Sequence, residues 1–310
     1  MEGDLIKRKE DDFYYEPVSG WNELFERLKE LTQEPYRKWI FKGLLSEWHL
    51  ESTFDRAFYP SNINETDRQN NAIEIEKKLT RDFRRLYDGS DRQAVLSDTL
   101  YCISLMQHHG APTRIMDFTY SPFIAAYFAL EYAWDKDKKE DNKLHGGKIN
   151  IAIWCFNTKW CRDYLESNEK LKQLMDNRLK KDIPSEKSFL RIYMPSEPFT
   201  FVYPENPYLL HTRLARQQGV FLCPGDVSKS FSKNLKALVC ESEECAKESI
   251  YEIRCELCRP QRLEALNQLH RMNIDRASLF PGLDGFAESM KYRFKFYFET
   301  AQEREAKSDC

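Results

Sequence analysis

Residues 107–121 read QHHGAPTRIMDFTYS and separate one apolar helical pattern from another. A connection that only turned the chain would need Gly, Pro and a short polar residue. This one also carries His108, His109, Arg114, Asp117 and the hydroxyls of Thr119 and Ser121. Downstream, SPFIAAYFALEYAW reads as a buried helix, with Ser121 at its N-cap and Pro122 at the first helical position, where a missing N–H costs nothing. Upstream, apolar residues recur at helical spacing over about 70–88 (Ile73, Leu79, Phe83, Leu86, Tyr87) and about 92–107 (Leu96, Leu100, Ile103, Met106).

Further out, Trp21, Leu24, Phe25, Leu28 and Leu31 predict a helix over 19–32, with Ser19 as its cap. RKWIFKG reads as a short strand ending at Gly43. A charged loop, DKDKKEDNKLHGG, leads into the strand KINIAIWCF, and a helix is expected around 158–176. Strands are expected at 199–203, 219–223 and 250–257, then an amphipathic helix in RPQRLEALNQLHRM and a turn feeding another helix in LFPGLDGFAESM. Helices gather in the first half and strands in the second, without βαβ alternation. That order predicts an α+β fold with a mixed or antiparallel sheet core and a helical N-terminal half. No low-complexity linker divides the chain, so the expected organisation is a helical extension over 1–35 packing on one domain over 36–310.

Composition narrows the function classes. The chain has 310 residues, enough to bury a sizeable core, and its 14% aromatic content predicts a core and pocket rich in Phe and Tyr. A net charge of −3 disfavours holding nucleic acid through a global basic field, although a local basic groove is compatible with it. No apolar run approaches the roughly 20 residues of a membrane helix, so no membrane association is expected. The start, MEGDLIKRKEDDFYYE, shows no apolar signal region, and with nine cysteines the expectation is reduced thiols in a cytoplasmic protein. Cys240, Cys245, Cys255 and Cys258 are spaced like two pairs of zinc ligands. Cys255 and Cys258 fall in a strand-like run, however, where residues three apart point to opposite faces, and no metal is expected.

The chain contains no dinucleotide fingerprint, P-loop, zincin helix or nucleophile elbow. Adjacent histidines on a helix diverge by about 100° and do not readily chelate one metal. Arg114 and Asp117, three apart in a turned segment, suit either an ion pair that locks the loop or, with the N–H groups after Gly110 and the Thr119 and Ser121 hydroxyls, an anion site at the start of the following helix. Phe41-Lys42-Gly43, followed by Trp48, Thr53 and Arg56, offers a cation and a glycine that allows close backbone approach to a ligand. His211, Arg213, Arg216, Gln217 and Gln218 form a dense polar cluster just before the apolar GVF, either as a pocket wall or as a solvated turn.

WIFKG with WHLESTFDRA, MQHHGAPTRIMDFTYSPFIAAYFAL, the Arg213–Phe221 segment and NIDRASLFPGLDGFA together resemble the FRG domain, a family named for a Phe-Arg-Gly tripeptide. The pieces run from about residue 39 to 287, and Lys42 stands where the family has Arg. Lys keeps the charge but loses the planar fork that grips phosphate. The order of elements also looks like that of ADP-ribosyltransferases of the Arg–Ser–Glu type. Phe41-Lys42-Gly43, Thr119–Ser121, Ala125–Ala129 and Gln217/Gln218 before GVF follow one another in that order, with Gln in place of the late Glu.

The resemblance implies an NAD-using ADP-ribosyltransferase or NAD glycohydrolase in a microbial defence or toxin setting, with NAD as substrate and a protein or RNA acceptor. It places Gln218, Ser121 and Thr119 at the chemistry, and Lys42, Gly43, His108, Gly110, Thr113, Arg114, Asp117, Arg213 and Gln217 at the nucleotide. The other readings are a non-catalytic nucleotide or RNA sensor and an interaction scaffold whose polar motif is structural.

Overall fold

The computed structural model describes residues 5–8, 13–35, 37–58, 63–139, 148–179, 186–195, 197–238, 242–291 and 294, without the side chains of 134–139, 176–179 and 186–188. Cys240 and the 140–147 part of the charged loop lie outside the described residues.

The strands are β1 (Ile6–Lys7), β2 (Tyr14–Ser19), β3 (Trp39–Leu45), β4 (Met116–Thr119), β5 (Ile149–Asn157), β6 (Val202–Glu205), β7 (Gly219–Pro224) and β8 (Ile250–Leu257). They form one eight-stranded mixed sheet in the order β1-β2-β8-β5-β3-β4-β7-β6. β2 and β8 run parallel and the other neighbours antiparallel. The helices that bear on the site are α1 (Gly20–Gln33), α2 (Thr53–Phe58), α3 (Glu65–Leu86), α4 (Arg92–Ser97), α5 (Thr99–His108) and α6 (Pro122–Lys139). The fold is α+β, as the element order predicts.

Side-chain alternation along β3 divides the core between the two faces of the sheet. Ile40 and Leu44 join one cluster with Phe118, Phe156 and Phe221. Trp39, Phe41 and Leu45 join the other with Trp21, Leu24 and the alanines of α6. Gly43 faces α6 so closely that a Cβ there would lie 1.8 Å from the Ala125 carbonyl oxygen. Its glycine admits a helix backbone, not the ligand expected from sequence.

Three helical expectations shift at their ends. The 92–107 pattern is two helices, α4 and α5, parted at Asp98, whose carboxylate caps α5 by accepting the Tyr101 N–H at 3.0 Å. The 158–176 pattern is likewise broken at Asn168, between helices Thr158–Ser167 and Glu169–Leu179. Ser19 occupies the N-cap position of α1 without a side-chain cap, and its own N–H donates to Glu23 at 2.7 Å.

The first 35 residues, expected as a helical extension, also supply β1 and β2 to the sheet. The strand escapes a periodicity reading because Glu16 sits on its buried face. That carboxylate is held there by the Arg27 Nε at 3.0 Å. One cysteine also departs from the expectation of thiols throughout: Cys245 is disulfide-bonded. Cys255 is free and buried in β8, and Cys258 is free at the N-cap of the helix Arg259–Arg271. Among the described residues no helix is long and apolar enough to cross a membrane.

Candidate functional site

The three strands that bear the motif residues are neighbours. β3 carries Phe41-Lys42-Gly43, β4 carries Asp117 and Thr119, and β7 begins at Gly219, directly after Gln217-Gln218. Phe41 pairs with Thr119, and Thr119 with Gly219. The Phe41–Thr119 pair is the whole register between β3 and β4, so beyond it the two strands part. Lys42 spans the opening, its ammonium donating to the Asp117 main-chain carbonyl at 3.0 Å.

Asp117 is exposed, and its carboxylate acts electrostatically on Lys42, His108, His211, Arg213 and Tyr132. Desolvation lowers the pKa of Lys42 and Arg56 pushes the same way, while Asp117 opposes both. Arg213 is lowered by burial, with Asp117 opposing and Arg276 adding to the shift. Burial raises the Tyr132 phenol, and the charges of Glu131 and Asp117 raise it further. Several cations are thus gathered about one exposed carboxylate, in surroundings dry enough to disfavour their charge. Among the described residues the guanidinium groups of Arg56 and Arg213 make no hydrogen bond or ion pair, and Arg213 lies 4.5 Å over the Phe280 ring. Arg276, by contrast, is held by Glu131 at 2.8 Å, and Glu131 also accepts from the Tyr127 hydroxyl at 3.0 Å.

Aromatic rings line the same region. Trp48 packs on Tyr132 with ring centroids 5.0 Å apart. His108, near the end of α5, lies 4.8 Å from the His109 ring and 4.9 Å from that of His211. Its Nδ1 is buried without a hydrogen-bond partner among the described residues. Burial, then the neighbouring His211, Arg213 and His109, lower its pKa from 6.5 to about 4, so the imidazole is neutral at pH 7. His211 is oriented by the backbone: its Nδ1 accepts the Leu214 N–H at 3.3 Å and caps the short helix Thr212–Arg216 that presents Arg213.

Of the residues expected at a ligand, Lys42, His108, Asp117 and Arg213 come together here. Arg114 does not. It is fully buried, its guanidinium clasps both carboxylate oxygens of Glu76 on α3, and Nη1 donates to the carbonyls of Tyr193 at 2.8 Å and Pro224 at 3.3 Å. The ion pair in this turn is therefore Arg114–Glu76 and not Arg114–Asp117, which leaves the Asp117 carboxylate in the opening.

The other candidates shape the turn. Gly110 takes φ +84° where α5 ends, and a Cβ there would meet nothing within 4 Å. The Thr113 hydroxyl donates to Gln107, and its N–H donates to the Thr53 hydroxyl at 2.9 Å. Thr119 is buried, its hydroxyl donating to the Gln217 carbonyl at 2.7 Å and accepting the Ser121 N–H at 3.0 Å. Ser121 caps α6 by accepting the Ile124 N–H at 3.3 Å. The Gln217 side chain is buried and donates to the Leu279 carbonyl at 3.2 Å. Gln218 is exposed at φ +47°, its carbonyl accepting the Tyr120 N–H at 3.0 Å. Glu205, a carboxylate shortly before this segment, is buried on β6 and accepts from the Tyr193 hydroxyl at 2.5 Å.

Sequence reasoning missed Tyr132 and Glu131, which sit on a helix read only as apolar core. It also missed the Arg276–Phe280 contact, at 4.2 Å, just where the segment read as a turn begins. The quoted NIDRASLF motif held that signal. No curated protein and no solved structure matches the chain. A family model matches part of the chain, and the later segments of the motif, 213–221 and 273–287, lie outside it. That match, to the FRG domain, covers residues 37–138, which run from β3 through the turn into α6.

Proposed function

We propose that the opening between β3 and β4 binds a nucleotide of the NAD type and breaks its nicotinamide–ribose bond, passing ADP-ribose to water or to a protein or RNA hydroxyl. One observation carries the reading: the exposed Asp117 carboxylate acts on Lys42 and Arg213, and Arg56 acts on the same Lys42, beside the Trp48–Tyr132 ring pair. Cations held out of water bind a diphosphate strongly, and aromatic faces accept flat bases. The fork lost by having Lys at position 42 is available from Arg56 and Arg213, which have no hydrogen-bonded partner among the described residues.

As the C1′–N bond breaks, its electron pair leaves with nicotinamide and the ribose carbon becomes oxocarbenium-like. Asp117 supplies the negative charge that a Gln at 218 lacks. The incoming hydroxyl gives its proton to the neutral His108 imidazole, and the new C–O bond completes the transfer. Thr119, Ser121 and Gln217 support this by holding β4, the α6 cap and the approach to β7 in place.

Purified protein incubated with NAD tests the reading. The expected result is NAD loss that falls about 100-fold or more in Asp117→Asn, the scale on which removal of one preorganised electrostatic contact acts. Thermal stabilisation by NAD is expected to persist in Asp117→Asn and to disappear in Lys42→Ala/Arg213→Ala. Stabilisation by NAD without consumption would instead favour a nucleotide sensor, a reading that draws on the neutral Gln217-Gln218 pair before β7. Neither consumption nor stabilisation would refute both.

A further inference from the structure

A second site lies away from the opening, where α3 meets α4, the start of α5 and residues 190–194. A pocket of about 300 Å³ there is lined by five basic residues, Lys77, Arg81, Arg84 and Arg85 of α3 and Arg92 of α4, and among the described residues by no carboxylate. Lys77, Thr80, Arg81 and Arg84 recur at i, i+3, i+4 and i+7, so one face of a single helix presents them together. Favourable interaction with the helix dipole accounts for cations in the last turn, where Arg84 and Arg85 stand. It does not account for Lys77 and Arg81, or for Arg92, which comes from a separate helix.

The existing partners leave much of this charge available. Arg85 makes no hydrogen bond or ion pair among the described residues. Among the described residues Lys77 and Arg81 meet only Glu74 at 2.9 Å and Asp82 at 3.7 Å, exposed pairs of the kind that contribute little. Arg84 is pre-positioned, donating to the Val95 carbonyl at 3.0 Å and the Thr99 hydroxyl at 2.8 Å. An independent observation points to a ligand. Thr80, which lines the pocket, is 5% exposed, and its hydroxyl is buried with no hydrogen-bond partner among the described residues. Buried hydroxyls are rarely left so.

We infer that this pocket binds a small organic phosphate. The arginine forks and the Lys77 ammonium take the phosphate oxygens, and the Thr80 hydroxyl is completed by a polar atom of the ligand. Leu96, Leu190 and Met194 also line the pocket and suit a base or another flat apolar body. The volume is at the lower end of ligand pockets, which run from about 300 to 1,000 Å³, so the fit is to a mononucleotide rather than a dinucleotide. This inference does not depend on the reaction proposed for the opening.

Isothermal titration of the full chain carrying Lys42→Ala/Arg213→Ala, which removes two cations of the opening, isolates the pocket. AMP is expected to bind and adenosine not to. Adding Arg81→Ala/Arg85→Ala, two exposed positions, should weaken AMP at least tenfold. Thr80→Val, which keeps the shape and deletes the hydroxyl, should weaken it severalfold without lowering the melting temperature. In the otherwise unaltered chain, Arg81→Ala/Arg85→Ala should leave any NAD consumption unchanged. Equal binding of AMP and adenosine, AMP binding untouched by Arg81→Ala/Arg85→Ala, or no AMP binding at all would overturn the inference.

Discussion

Glu76 accepts from the Arg114 guanidinium in the interior, where neither charge reaches water. Removing one member of such a pair strands the other and costs about 3–5 kcal/mol. Arg114→Ala is therefore expected to lower unfolding free energy by that amount, measured by urea denaturation. Glu76→Met/Arg114→Met, which removes both charges and keeps volume, should cost far less. If Arg114 served a ligand instead, Arg114→Ala would leave stability within about 0.5 kcal/mol, the range of ordinary surface substitutions. Arg213 lies on the other side of this contrast, since among the described residues it makes no hydrogen bond or ion pair, it lies over the Phe280 ring, and Asp117 acts on its charge. Sequence spacing gave both arginines the same standing. What divides them is whether a buried carboxylate from a distant helix arrives, and Glu76 is 38 residues away from Arg114.

At the scale of elements, α6 lies on β3 at the one position without a side chain. A Cβ on Gly43 would lie 1.8 Å from the Ala125 oxygen and 2.9 Å from the Ala129 nitrogen, both backbone atoms that cannot rotate aside. Gly43→Ala is expected to destabilise by more than the 1–3 kcal/mol typical of overpacking, seen as a large fall in melting temperature or loss of soluble protein. A melting temperature within a few degrees of the parent would contradict this packing. α6 itself was legible, because Ser121, Pro122 and an unbroken apolar run specify its start and its burial. Its partner was not, because the same glycine suits a ligand or a helix equally well until the helix is placed.

At the scale of the whole molecule, β2 pairs with β8 over six residues, Tyr14 with Tyr251 through Ser19 with Glu256. Arg8 meets Glu252, which is 0% exposed. Deleting residues 1–19 would uncover the hydrogen-bonding edge of β8, a template for association. The truncated chain is expected to elute as oligomers or to precipitate, checked by size-exclusion chromatography with light scattering. A monomer with the parent's far-ultraviolet dichroism would show that β1 and β2 are dispensable. The sequence alone determined the fold class, most helices and central strands, and the motif of the FRG domain, because periodicity, caps and turn residues act over a few neighbours. Tertiary structure decided that the N-terminal segment joins the sheet, that Arg114 is interior, and that the exposed Asp117 acts on Lys42, His108 and Arg213. Those outcomes depend on which distant charge is brought within a few ångströms, and no local pattern in a single chain encodes that.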